Sequence, residues 1–217
     1  LYFCNMNCIR THIISFAMLL MCATSSAQMK WNQSYQTYIN QYKDLAIEQM
    51  LRYRIPASIT LAQGLFESRA GQSDLVRQGN NHFGIKCHNW TGPTQYHDDD
   101  ARGECFRVYQ DAKESYEDHS RFLAKQPRYS RLFSLNTTDY KGWAHGLKSC
   151  GYATNPQYAN KLIQIIELYR LQDYDKAKSY DRFMATHSGT DVPINAEGTL
   201  HPIHIFNDNY YLYAREG

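Results

Sequence analysis

The residue with the clearest chemical potential in this sequence is Glu67, within the segment ITLAQGLFESRAGQSDL at residues 59–75. The spacing of the apolar residues predicts an amphipathic helix. Gln63 and Gly64 lie four and three residues before Glu67, and they therefore share its side of that helix. Apolar neighbours such as Phe66 should raise the pKa of the Glu67 carboxyl, because burial disfavours the charged form. A carboxyl of this kind suits a general acid.

Two glycines, Gly64 and Gly71, lie on the same side of the predicted helix as Glu67. A glycine inside a helix lowers its stability by about 1 kcal/mol relative to alanine. A fold tolerates this loss where something must approach the backbone closely. Another part of the chain and a polymeric substrate are both consistent with the pattern, and a solvated surface acid remains the alternative for Glu67.

A second group of acids lies in the β-prone region: Asp98–Asp100 follow the segment TQYH, and Glu104 begins the segment ECFRVY. A general acid that cleaves a glycosidic bond is often assisted by a second carboxylate on the opposite face of the sugar. Asp99, Asp100 and Glu104 are each candidates for that role, and the sequence does not choose among them. Consecutive aspartates do not fit a calcium loop, in which acids alternate with other residues.

The elements that must position these acids are mainly helical. Periodicity predicts helices over 34–54, 57–70, 111–126, 137–150 and 155–171, with one short turn at 73–78. Gly71 is predicted to end the second helix, Asp111 to cap the third and Asn155 to cap the last. The fold class is therefore α+β, mainly α, with a small β-hairpin between helices.

Composition limits the function. The chain has 217 residues, 43% of them hydrophobic and 20% charged, with a net charge of +2. These values are typical of a soluble globular protein with one good core. A nucleic-acid protein would need a clustered basic face, which this balance does not indicate. No metal or organic cofactor is expected.

The N-terminal residues 1–27 have the pattern of a signal peptide. Arg10 precedes the apolar run IISFAMLLMCA, and the small residues SSA precede Gln28. The run is too short for a comfortable transmembrane span. We therefore expect a secreted or periplasmic protein. A lipid anchor at Cys22 is the alternative, and the bulky Met21 before it argues against that reading.

Three cysteines remain after the predicted cleavage site. Cys87 and Cys105 flank the predicted hairpin and are candidates for a disulfide in an oxidising compartment. Cys150 is left over, most simply as a buried thiol. Cys87 and Cys105 with His82 and His88 could instead hold zinc, but their spacing matches no zinc pattern.

The predicted domain organisation follows from the loss of apolar periodicity after Asp175. A catalytic domain is expected at 28–175, a linker at 176–200 and a β-prone segment at 201–217. The last segment could begin a further module.

Four segments in register, LAQGLFESRAGQSDL, NNHFGIK, ECFRVYQDAKESYEDHSRFL and GYATNPQYANKL, resemble the bacterial glucosaminidase family. That family is typified by the flagellar peptidoglycan hydrolase domain and related autolysins, and the resemblance covers about Tyr38 to Tyr174. It implies a lysozyme-like helical lobe, a small β-hairpin lobe and a cleft between them. It also implies endo-β-N-acetylglucosaminidase activity on peptidoglycan glycan strands.

The resemblance assigns roles to individual positions. Glu67 matches the catalytic acid, and Tyr152 matches a cleft tyrosine that bears on catalysis. His119 recurs as a structural hydrogen-bonding residue, and the family's Ser-Gly-Trp-Gly is replaced here by Ser-Arg-Ala-Gly at 68–71. The predicted substrate-binding set comprises Gln63, Asn81, Phe83, Lys86, Trp90 and Tyr158, although the motif also favours packing of the last beneath the loop.

Three alternatives remain open. If no hairpin acid is well placed, the N-acetyl group of the substrate can act as the internal nucleophile. A lytic transglycosylase or muramidase also presents a glutamate on a lysozyme-like helix. A non-catalytic wall-binding module could keep the fold without the reaction. In each case the partner is the peptidoglycan glycan strand, and we expect a monomer.

Overall fold

The computed structural model of the protein describes residues 29–99 and 101–177. The chain divides into a unit at Leu1–Lys30 and a main unit that begins at Trp31, which contains all of the elements below. The predicted signal peptide, Asp100, the linker from residue 178 onward and the C-terminal segment lie outside the described residues. Among the helices that the structure describes, none combines the length and apolar character that crossing a membrane requires.

The described chain is mainly helical and contains a two-stranded antiparallel sheet, which confirms the predicted fold class. In chain order the elements are α1 (Gln33–Tyr53), α2 (Ala57–Glu67), α3 (Asp74–Gly79), β1 (Thr94–His97), β2 (Glu104–Arg107), α4 (Ala112–Lys125), a 3-10 helix (Pro127–Ser134), α5 (Tyr140–Ser149), α6 (Tyr158–Leu168) and a second 3-10 helix (Leu171–Lys176).

Helix α2 is the central element of the helical part. Every residue from Ala57 to Leu65 is buried, because α2 packs against α1, α5, α6 and the second 3-10 helix. Asp175 from that 3-10 helix holds its N-terminus: the Ser58 backbone N–H and hydroxyl donate to the two carboxylate oxygens at 2.8 and 2.6 Å. Glu67 at the other end of α2 is therefore positioned by the core.

The glycines near Glu67 serve the packing of the chain. A Cβ atom at Gly64 would lie 2.6 Å from the Tyr38 hydroxyl oxygen and 3.1 Å from that of Tyr116. The two hydroxyls are hydrogen-bonded to each other at 3.0 Å, and Tyr38 also bonds His82 Nδ1 at 2.9 Å. The helix face with Gly64 is thus filled by buried side chains, and close approach of a substrate is not the reason for this glycine.

The end of α2 differs from the prediction. The helix ends at Glu67, and two non-glycine residues, Arg69 and Ala70, adopt left-handed backbone angles with φ of 52° and 56°. Gly71 follows with φ of 78°. Gly71 therefore continues a left-handed turn that Arg69 has already begun, and the prediction that it ends the helix is wrong.

The hairpin has the expected strands. Thr94 pairs with Arg107 and His97 with Glu104, and an isolated bridge joins Lys86 to Phe106 on the other side of β2. A disulfide joins Cys87 to Cys105. The two thiols of the zinc alternative are therefore not available as metal ligands.

The ends of the other helices agree with the prediction only in part. Asp111 caps α4, since its side chain accepts a hydrogen bond from the Glu114 backbone N–H. The prediction that Asn155 caps the last helix is wrong, because α6 begins at Tyr158. Asn155 instead accepts from the Gln157 N–H within the preceding turn. Neither 3-10 helix was expected from the periodicity.

Candidate active site

A cleft of about 660 Å³ opens at the end of α2, which is within the usual size of ligand sites. The segment after α2, the turn at 83–86, the hairpin and the loop before α6 all contribute to it. Its lining includes Phe66, Glu67, Arg69, Gln72, Asp74, Phe83, Lys86, His88, His97, Asp99, Phe122, Arg128, Tyr129, Tyr152, Thr154 and Tyr158.

Glu67 lies in this cleft with an altered acidity. Burial raises the pKa of its carboxyl to about 7, hydrogen bonding from Tyr158 opposes the rise, and the nearby charge of Asp99 adds to it. Burial dominates because the ionised form loses water that the protein replaces only in part. Near neutral pH a substantial fraction of Glu67 is therefore protonated and able to donate a proton.

A short hydrogen-bonded chain supports Glu67 from below. Gln63 Nε2 donates to the Tyr158 hydroxyl at 2.9 Å, and Tyr158 in turn hydrogen-bonds the Glu67 carboxyl. Gln63 has no exposed surface. Gln63 therefore lies beneath the cleft, where it orients Tyr158, and not at the surface that a substrate would contact.

Tyr152 lines the cleft beside Glu67. Its ring stacks on the ring of Tyr158 at a centroid distance of 5.7 Å and an angle of 22°. Burial, and then the negative charge of Glu67, raise the pKa of Tyr152 well above its usual value. The hydroxyl of Tyr152 is therefore a neutral hydrogen-bond donor throughout the physiological range.

The structure separates the candidates for the second acid. Asp99 lines the cleft, and its negative charge contributes to the raised pKa of Glu67. Glu104 accepts from Lys86 Nζ at 2.7 Å and from the Ala101 backbone N–H, and it is not part of the lining. Of the two described candidates, Asp99 is thus the one placed to face a substrate.

The predicted substrate-binding residues fall into two groups. Phe83, Lys86 and Tyr158 line the cleft. Asn81 is buried and organises its turn, since its amide donates to the Ile85 and Arg107 carbonyl oxygens.

Trp90 lies outside the cleft lining. Its Nε1 donates to the Pro93 carbonyl oxygen at 2.9 Å, and the Arg107 guanidinium lies 5.0 Å from its ring centroid. Trp90 thus packs against its own loop. Gln63, Asn81 and Trp90 therefore do not contact the cleft space, which corrects their predicted role as direct substrate contacts.

His119 also differs from the expectation. Its ring stacks on Phe83 at a centroid distance of 3.9 Å, and within residues 29–99 and 101–177 neither ring nitrogen has a hydrogen-bond partner. Burial lowers the pKa of His119 to about 3. The residue is a neutral ring that supports Phe83, and its predicted hydrogen-bonding role is wrong.

Several residues of the cleft were not singled out from the sequence, above all Arg69 and Arg128. Arg69 lies in the last turn of the helix predicted over 57–70, where the apolar pattern does not mark it. Arg128 belongs to the Pro127–Ser134 3-10 helix, which periodicity did not predict. The signal that could have identified Arg69 is the replacement of glycine by arginine just after the acid.

A comparison with models of protein families shows which family the chain belongs to. The glucosaminidase family, described as mannosyl-glycoprotein endo-β-N-acetylglucosaminidase, matches residues 43–171. The chain belongs to the glucosaminidase family. The match includes Glu67, Asp99, Tyr152 and Tyr158, so that the whole candidate site lies in the glucosaminidase domain.

Curated relatives also carry glucosaminidase and peptidoglycan hydrolase names. The exo-glucosaminidase LytG of Bacillus subtilis is 35% identical over 58% of this chain and 48% of its own length. The peptidoglycan hydrolase FlgJ of Salmonella typhimurium is 32% identical over 58% of this chain and 43% of its length. The chain thus spans about half the length of these curated relatives.

Among solved structures, the catalytic domain of the autolysin Auto from Listeria monocytogenes aligns with a TM-score of 0.56 and 29% identity, covering 76% of this chain and 96% of that one. The glycoside hydrolase domain of Salmonella typhimurium FlgJ aligns with a TM-score of 0.53 and 26% identity, covering 70% of this chain and 98% of that one.

Proposed function

We propose that this protein is a peptidoglycan hydrolase that cleaves the β-1,4 bond after N-acetylglucosamine, with Glu67 as the general acid. The observation that carries the proposal is a half-buried carboxyl with a pKa of about 7 in the cleft of a glucosaminidase domain. The relatives LytG and FlgJ, named as a glucosaminidase and a peptidoglycan hydrolase, support the substrate class.

The proposed reaction begins with proton transfer from Glu67 to the glycosidic oxygen as that bond breaks. Positive charge develops on the sugar ring. Asp99 would act on the opposite face, either by accepting a proton from the attacking water or by stabilising the ring charge. The N-acetyl group of the substrate is the alternative to Asp99. In both cases water supplies the new hydroxyl group, and Glu67 regains a proton.

The site residues around Glu67 would divide the remaining tasks. Tyr158, held by Gln63 at 2.9 Å, orients the carboxyl. Tyr152 offers a neutral hydroxyl beside it, and Phe83 and Lys86 line the space that the glycan would fill. We further propose that residues 1–27 direct export, that the protein acts outside the cytoplasmic membrane, and that it does so as a monomer.

The test of this proposal is to identify the products that residues 28–217 release from purified peptidoglycan. The products are reduced and analysed by mass spectrometry, with heat-denatured protein as the blank. Fragments with N-acetylglucosamine at the reducing end are expected. Oligosaccharides of several lengths would indicate endo cleavage, and release of single sugars would indicate the exo mode named for LytG. Anhydro-muramyl ends, or no release, would contradict the proposal.

The pH dependence of hydrolysis should follow the protonation of Glu67. Because the acid must be protonated, kcat/KM should fall as the pH rises through about 7. Asp99→Asn removes a negative charge that raises the pKa of Glu67, so the decline should move to lower pH. Tyr158→Phe removes a hydrogen bond that lowers it, so the decline should move to higher pH. The measurement is kcat/KM between pH 4 and 9.

The opposite directions of these two shifts are the control for general damage to the site. A variant that merely loosens the cleft would lower the rate without moving the profile. Shifts of both variants in the same direction would contradict the assignment of Glu67 as the group that titrates.

A further inference from the structure

The backbone immediately after Glu67 is held in an unfavourable conformation. Arg69 and Ala70 both have left-handed φ angles of 52° and 56°. Such angles are unfavourable by about 1–2 kcal/mol for a residue with a side chain, and they are rarely adopted by two successive non-glycine residues. An arginine at such a position, in the lining of the cleft, suggests that its side chain contributes something that glycine could not.

Arg69 has no charged partner in the described part of the chain. Arg52 and Arg107 are ion-paired with Glu117 and Asp118 at 2.5 and 2.7 Å. By contrast, no carboxylate among residues 29–99 and 101–177 is ion-paired with Arg69, although Asp74 and Asp99 line the same cleft. The guanidinium of Arg69 is exposed and keeps its donors for a ligand.

Arg128 is a second such cation in the lining. Its guanidinium lies 4.7 Å from the Tyr129 ring centroid and 5.9 Å from that of Phe122. Stacking on an aromatic ring uses the face of the guanidinium and leaves its N–H edges available. Within the described residues Arg128 forms no ion pair either. Lys86, the remaining lysine or arginine of the lining, is bonded to Glu104.

We propose that Arg69 and Arg128 bind carboxylates carried on the lactyl substituents of muramyl residues, and that they make the enzyme selective for peptidoglycan over neutral glycans. The inference rests on the proposed function. N-acetylglucosamine is neutral, and muramyl residues alternate with it, so negative charge occurs on both sides of each cleaved bond. The carboxylate is either that of the lactyl group itself or one on the attached peptide. Arginine binds either source through two parallel N–H donors.

The test measures binding, so it does not depend on turnover. Full-length protein with Glu67→Gln is titrated calorimetrically with a neutral chitooligosaccharide, a peptide-free glycan with lactyl carboxylates, and a peptide-bearing glycan oligomer. Adding Arg69→Gln or Arg128→Gln should weaken binding of a carboxylate-bearing glycan by roughly 5–20-fold, as loss of a charge-assisted hydrogen bond does. Binding of the chitooligosaccharide should change by less than about twofold.

The matched control is Arg77→Gln, which removes an exposed arginine of α3 that does not line the cleft. It should leave all three affinities unchanged. Arg69→Gly is a second variant that removes the charge and favours the left-handed backbone. It should weaken binding to the same extent while the free energy of unfolding stays the same or rises, which separates lost recognition from misfolding.

The outcomes distinguish the two sources of the carboxylate. Weaker binding of the peptide-free glycan alone assigns the lactyl carboxylate, which the attached peptide converts to an amide. Weaker binding of the peptide-bearing glycan alone assigns a carboxylate of the peptide, and weaker binding of both shows that the arginines bind either one. Equal weakening for the chitooligosaccharide, or none for any ligand, would overturn the inference. Failure of the proposed function is a separate result: wild-type protein would then release no products, whatever the arginine variants do to binding.

Discussion

Replacing Glu67 with Gln should reduce the hydrolysis of peptidoglycan by about 10²–10⁴-fold, the usual contribution of a general acid. Glutamine has nearly the same shape and can still accept a hydrogen bond from Tyr158, but its amide is not acidic and cannot transfer a proton to the glycosidic oxygen. The rate of release of soluble fragments from purified peptidoglycan, under saturating and subsaturating substrate, measures the loss.

The same substitution should stabilise the protein at high pH. Because the pKa of Glu67 is raised from 4.5 to about 7 in the folded state, the folded protein binds more protons than the unfolded chain between those values. Wild-type stability therefore declines as the pH rises through this window. Glu67→Gln removes that decline, so at pH 8 its free energy of unfolding should exceed that of wild type by up to about 3 kcal/mol. Urea denaturation at pH 5 and pH 8 measures the difference.

Glu48→Gln is the matched control, since Glu48 lies on the surface of α1 with a long contact of 3.7 Å to Arg52. It should change neither the rate nor the stability by a measurable amount. A folded Glu67→Gln protein that keeps more than about a tenth of the wild-type rate would contradict the role of Glu67. Equal destabilisation at both pH values would indicate a purely structural carboxyl.

The parts of the site that depend on local pattern could be predicted from the sequence. The apolar spacing placed Glu67 near the end of an amphipathic helix, and the apolar neighbours predicted its raised pKa. The two β-prone runs placed a group of hairpin acids opposite Glu67, without choosing among Asp99, Asp100 and Glu104. In each case the property depends on neighbours within a few residues.

The parts that failed depend on partners that are distant in sequence. Gln63 lies on the same side of α2 as Glu67, yet it bonds Tyr158, 95 residues later, and is buried beneath the cleft. Trp90 has the loop setting of a sugar platform, but Arg107, 17 residues later, lies over its ring and holds it against its own loop. Residue type and spacing did not identify these partners, because they are set by the packing of the hairpin on the helices.

The predicted helix ends failed for a related reason. Gly71 and Asn155 are residues that commonly end or begin helices. At both ends the chain adopts a turn first: the left-handed Arg69–Ala70 pair precedes Gly71, and the turn of Asn155 precedes Tyr158. Arg69 of the first turn and Asn155 of the second both line the cleft, so the deviations lie where the site is built.

Asp175→Ala should lower the free energy of unfolding by about 2–4 kcal/mol, although the residue is far along the chain from Glu67. The Asp175 side chain is buried, and both of its oxygens accept hydrogen bonds from Ser58 at the start of α2. Alanine would leave the Ser58 N–H and hydroxyl buried without an acceptor. Urea denaturation at pH 6 measures the loss.

Asp173→Ala is the control for this substitution. Asp173 belongs to the same 3-10 helix, and its partly exposed carboxylate pairs with Arg170 and Lys176 at 2.9 and 2.7 Å. Exposed ion pairs contribute at most about 1 kcal/mol, so the loss should be much smaller than for Asp175→Ala. If Asp173→Ala and Asp175→Ala were equally stable, the loss of the buried contact with Ser58 would not explain the destabilisation by Asp175→Ala.

Asp175→Asn tests the role of the carboxylate itself. Burial raises the pKa of Asp175 from 3.8 to about 7, so this group also lowers wild-type stability as the pH rises between those values. Asparagine keeps one acceptor oxygen for Ser58 and has no such titration. It should therefore destabilise less than alanine, and its deficit relative to wild type should shrink from pH 5 to pH 8.

The family match ends at residue 171, before Asp175. A chain ending at 171 should lose as much stability as Asp175→Ala or more. The truncation removes Asp175, which holds the start of α2, and α2 positions Glu67. Urea denaturation at pH 6 measures this loss as well.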